Sequence, residues 1–86
     1  MHGDLKSRVD RLMPSLLDDF AELVRIPSIS AAGFDESQVR RSAEFTADRF
    51  AAAGLNKVTL LETPGAQPAV FGELAAPPGA PTLLLY

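Results

Sequence analysis

Cysteine and tryptophan are absent from the 86 residues, and histidine and tyrosine occur once each. Without cysteine there is no disulfide and no thiolate metal site. The one histidine, His2, sits at a terminus, where chains are poorly tied down. A nucleophile needs a base within hydrogen-bond reach. Ser28 and Ser30 lie in a loop-like stretch, but a catalytic serine has no base to serve it, and their hydroxyls are expected to satisfy loop backbone instead. Positive charge is also scarce: eight Lys and Arg stand against eleven Asp and Glu, a net charge of -3. That leaves no basic footprint for nucleic acid or for a membrane surface. No apolar run approaches the roughly 20 residues needed to cross a bilayer. The opening Met-His-Gly-Asp-Leu-Lys lacks the basic start and apolar core of a signal peptide. A soluble, cytoplasmic protein is the expectation.

The composition, 47% hydrophobic and 22% charged, is that of a folding chain. At this length one small domain is the upper limit, and about 60–65% of the unfolded surface would be buried. The charges are unevenly spread. Residues 1–54 carry 16 of the 19, leaving Lys57, Glu62 and Glu73 for the remainder. The first part reads as solvated helices with one buried face. The second reads as something covered on more than one side.

Leu5, Val9, Leu12, Leu16, Phe20 and Leu23 recur at spacings of three and four, the stripe of an amphipathic helix. Asp4–Arg8 and Lys6–Asp10 are opposite charges one turn apart. Pro14 interrupts the run without changing its phase, which predicts one kinked helix. Arg25-Ile26-Pro27 should end it. Asp35 is a good N-cap, with Gln38 in the capping-box position. A second helix then runs to about Ala53, packed through Val39, Ala43, Ala47, Phe50 and Ala51, with Glu36–Arg40 paired outside. Gly54 is the expected left-handed stop. Beyond it, Lys57 to Glu62, Ala69 to Leu74 and Thr82 to Tyr86 read as three strands. The last two are joined through residues 76–81, too short a link for a crossover, so they should pair antiparallel.

Leu83, Leu84 and Leu85 do not alternate with polar residues. Successive side chains on a strand face opposite ways, so this strand asks for cover on both faces. Two helices and two short strands can cover one face at most. The expectation is that the natural polypeptide continues beyond Tyr86. Within the 86 residues, chemistry is hard to find. Asp18-Asp19 and Asp35-Glu36 are adjacent acids, and neighbours on a helix do not face one point. Scattered carboxylates do not converge as metal ligands must. No Gly-rich phosphate loop is present.

The order of segments resembles a known family. A charged helix ends in Leu23-Val24-Arg25-Ile26-Pro27-Ser28-Ile29-Ser30, and a second ends in Phe50-Ala51-Ala52-Ala53-Gly54-Leu55. The extended runs Val58-Thr59-Leu60-Leu61-Glu62 and Pro81-Thr82-Leu83-Leu84-Leu85-Tyr86 follow. Over nearly the whole chain this resembles the N-terminus of the carnosine dipeptidase, aminoacylase and acetylornithine deacetylase superfamily of co-catalytic zinc hydrolases. The resemblance implies an α/β fold: two helices followed by the first strands of a mixed sheet, an incomplete part of a three-layer α/β/α catalytic domain. Residues 1–86 would be its N-terminal part. It implies a parent enzyme that hydrolyses the amide bond of a dipeptide or N-acyl amino acid with a zinc-activated water. Two zinc ions per subunit are expected in the complete protein, with a homodimer among the implied assemblies. In the family, the strand matching Thr82 to Tyr86 runs into a Gly-His-x-Asp motif that supplies the first ligand. None of the family's ligand or catalytic positions falls in this stretch. No catalytic, metal or cofactor-binding residue is therefore assigned, and these 86 residues should be scaffold only and inactive. The rival reading is a non-catalytic α+β interaction module whose sheet is completed by a partner strand.

Overall fold

The computed structural model of the chain describes residues 2–86, with side chains from Asp4 onward. The His2 side chain thus lies outside the described residues. Two helices precede one hairpin: α1 His2–Arg25, α2 Glu36–Ala52, β1 Asn56–Leu61 and β2 Ala69–Glu73.

α1 is one helix through Pro14, as its unbroken apolar phase predicts. Proline deprives the preceding turn of one amide donor. The carbonyl left without that donor is that of Asp10, four residues back; the Ser15 hydroxyl, next to the proline, donates to the Leu12 carbonyl at 2.9 Å. Lys6 and Asp10 pair at 2.9 Å. Asp4 and Arg8 do not pair.

α2 starts where Asp35 accepts from the Ser37 amide at 3.0 Å and from its hydroxyl at 2.6 Å. The Ser37 hydroxyl, not foreseen, adds a second donor to the Asp35 carboxylate. The Gln38 side chain instead accepts from Arg41 at 3.5 Å. The helix ends as its sequence asks. Gly54 has φ +96, its amide donates to the Ala51 carbonyl at 3.0 Å, and the Leu55 amide donates to the Phe50 carbonyl at 3.1 Å. These are the two bonds of a Schellman stop, which needs a left-handed residue that glycine supplies without strain. Arg40 does not pair with Glu36. It donates to Glu62 just beyond β1, tying α2 to the hairpin.

β1 and β2 are antiparallel, with Thr59 opposite Phe71 and Leu61 opposite Ala69. Between Asn56 and Thr59 the register slips by one residue, and Lys57 there has φ 51. One extra residue in a left-handed conformation is a bulge, which increases local twist. Val58, Leu60 and Val70 are half-buried on the face toward α2, while Thr59, Leu61, Ala69 and Phe71 lie exposed on the other. Gly72 lets β2 approach α2 closely: a Cβ there would stand 3.2 Å from both Leu55 Cδ1 and Phe50 Cδ2.

The third strand is not formed. Residues 80–86 have no regular structure, and Leu83, Leu84 and Leu85 are 81%, 84% and 83% exposed. Pairing with a hairpin edge would supply ladder bonds but leave at least one face of the three leucines wet. Pro81 also removes one donor from that ladder. The sheet therefore stays two-stranded.

Among the described hydrophobic residues, only Ile26 and Ala43 are buried. The accessible surface is 7348 Å². A compact 9.2 kDa monomer would expose about 4900 Å². The radius of gyration is 15.7 Å, against about 12 Å for a compact domain of this length. The excess comes from α1, which leans on α2 only near its C-terminal end, and from the uncovered tail. The observed fold is thus mixed α/β, with a small layer of α2 on a hairpin rather than a closed core.

Candidate functional site

A charged hollow lies where the end of α1 meets α2. Glu22, Arg25 and Ile26 from the first and Arg41, Glu44, Phe45 and Asp48 from the second line an open hollow of about 480 Å³. Ile26 is placed there because Pro27 ends the helix and turns its side chain inward. Arg41, Glu44, Phe45 and Asp48 follow helical spacing, on a stripe beside the packed face of Val39, Ala43, Ala47 and Phe50. That spacing was readable in the sequence, yet nothing in it indicated that α1 would stop alongside. Nearby, Arg49 reaches Asp19 on α1 at 3.4 Å and lies over the Phe45 ring, 5.8 Å from its centroid. These contacts hold the two helices in register.

The hollow holds three carboxylates and two guanidinium groups, all on residues open to solvent except for the half-buried Phe45 and buried Ile26. Opposite charges of similar number offset one another in high dielectric, so no strong field is focused on one point. Among the described residues, no three His, Cys, Asp or Glu side chains are grouped so as to hold a metal ion. The described residues therefore do not fit a zinc site.

Ser28 and Ser30 lie in the loop after α1, where the Ser28 amide donates to the Ile26 carbonyl at 2.7 Å. Their hydroxyls make no hydrogen bond among the described residues, contrary to the expectation that they satisfy loop backbone. Asp19 pairs with Arg49, while its neighbour Asp18 faces solvent. Asp35 caps α2, and Glu36 occupies its first turn. The Ser37 hydroxyl and, secondarily, its amide hold the Asp35 carboxyl below its ordinary value. That is a structural role. None of these side chains converge.

No helix among the described residues is long and apolar enough to cross a membrane. Compared with family models, curated proteins and solved structures, the chain gave no match.

Proposed function

We propose that this chain is the N-terminal scaffold of a zinc-dependent dipeptidase or N-acyl amino acid amidohydrolase. The observation that carries the proposal is the exposure of Leu83, Leu84 and Leu85, each more than four-fifths open. Three adjacent apolar residues belong in a strand with cover above and below. The outer face of the hairpin, with Leu61 and Phe71 exposed, asks for the same cover. In an α/β/α catalytic domain, further strands and helices would provide it. Ligands in such sheets lie beyond the carboxyl ends of the strands. A buried leucine strand would be a rigid post for them.

On this reading the zinc ligands lie outside the 86 residues, and the parent is a cytoplasmic enzyme acting on a dipeptide or N-acyl amino acid. The chain's own residues contribute no chemical step. They hold the first strands against α2. The order of segments, helix, helix and hairpin, with Leu23 to Ser30 closing the first helix, supports the assignment through the family resemblance.

The same exposed leucines suit a second reading, an interaction module that borrows a strand from a partner. The coding frame separates the two. The enzyme reading expects Gly-His-x-Asp directly after Tyr86. It also expects about two zinc ions per subunit in the complete protein. A stop codon after Tyr86 overturns it and favours the module, and full amidase activity in metal-free protein overturns the zinc-dependent mechanism.

A further inference from the structure

The exposed apolar residues of α1 have a symmetry that neither the fold nor the hydrolase reading requires. They form two rows with a spacing of four: Leu5, Val9, Met13 and Leu17 in one, and Leu12, Leu16, Phe20 and Val24 in the other. Reversing the helix about the midpoint between Pro14 and Ser15 carries one row onto the other. Leu5 then falls on Val24, Val9 on Phe20, Met13 on Leu16 and Leu17 on Leu12. A two-fold interface demands this property, because residue i must meet j while j meets i. Rows spaced by four are also the ridges that interdigitate in the commonest class of helix packing.

We propose that α1 is a self-association surface, pairing antiparallel with α1 of a second copy of this chain. Three further observations favour that occupant. Charge is complementary end to end. Residues 1–14 carry Lys6, Arg8 and Arg11 against Asp4 and Asp10, a net +1. Residues 15–25 carry Arg25 against Asp18, Asp19 and Glu22, a net -2. An antiparallel pair sets each half against its opposite, and a parallel pair sets like against like. The area is sufficient: side chains 41–64% exposed along the two rows offer roughly 800 Å² per copy, the size of a standard interface. The face is also free. α2 packs beside Asp19 and Ile26, along one edge of the apolar stripe, while all eight residues of the two rows stay exposed, and Pro14 and Ser15 point away from them. The inference does not rest on the hydrolase reading, whose cover is needed at the hairpin and the leucine tail.

Sedimentation of the 86-residue chain tests it. The wild type should be dimeric at tens of micromolar. Leu16→Asp and Met13→Lys each place a charge beside the two-fold axis, at positions exposed in the monomer, and each should weaken the dimer at least about a hundredfold. Helicity by circular dichroism at matched low concentration should be unchanged. Mixing the two variants should restore a heterodimer. The introduced carboxylate of one chain then meets the introduced ammonium of the other, while the remaining Met13 meets the remaining Leu16. A parallel pair would not be rescued. Spin labels at Ser7→Cys and, separately, at Ser15→Cys should report clearly different separations in the antiparallel dimer, where the two copies of residue 7 are offset by about 22 Å along the axis and those of residue 15 by about 1.5 Å, and near-equal separations in a parallel one. A wild type monomeric to about 1 mM overturns the proposal. So do variants that dimerise as well as wild type, a mixture that stays monomeric, or a label separation of the parallel kind.

Discussion

Asp35 shows how one side chain sets where an element begins. Its carboxylate satisfies an otherwise orphan amide at the start of α2 and sits at the positive end of the helix dipole. Because its folded pKa lies below the ordinary 3.8, its stabilisation is complete above that value and is lost as pH falls through the lower folded one. Asp35→Ala should lower the melting temperature by several degrees at neutral pH. The gap to wild type should narrow as pH falls below 3.8 and the wild-type carboxylate is itself protonated. Thermal melts at neutral and acidic pH check this. A pH-independent difference would mean that the cap works through shape and not charge. Gly72 is the other residue with a specific demand. Its missing Cβ lets β2 meet Phe50 and Leu55, so Gly72→Val should cost about 1–3 kcal/mol by overpacking, read from urea unfolding.

At the scale of elements, α2 and the hairpin form one unit, and α1 is only partly attached to it. Arg40–Glu62 and the Gly72 approach bind α2 to the strands, and Arg49–Asp19 and Ile26 bind only the last turns of α1. Hydrogen exchange should therefore protect Ala43 to Phe50, Leu60 and Val70 by more than the amides of residues 5–12. Equal protection across both sets would show α1 to be docked along its whole length. Pro14 adds to the weakness of α1. Pro14→Ala should raise helicity and stabilise the first helix by up to about 3 kcal/mol, since the position is exposed and its phase is already helical. Circular dichroism reads the gain directly.

At the scale of the whole molecule, the surface is about half as large again as that of a compact monomer of this mass. A net stability of a few kcal/mol depends on apolar burial that this arrangement does not supply. Below the concentration at which α1 pairs, the 86-residue chain should melt broadly and bind a hydrophobic dye. A sharp melt without dye binding would mean that the leucine tail and the open sheet face find cover within the chain.

Much of this was legible from local residue patterns. The α1 stripe, the Asp35 cap, the Gly54 stop and the two runs that became β1 and β2 depend on neighbours within a few positions, and the structure places them where those patterns point. Tertiary structure alone decided the rest. Arg40 chose Glu62 over the nearer Glu36, and Asp19 met Arg49, because ion pairs across elements depend on how helices dock. Thr82 to Tyr86 had the composition of a strand but did not become one. A helix closes its hydrogen bonds within itself, whereas a strand exists only when another offers an edge and something else covers its faces.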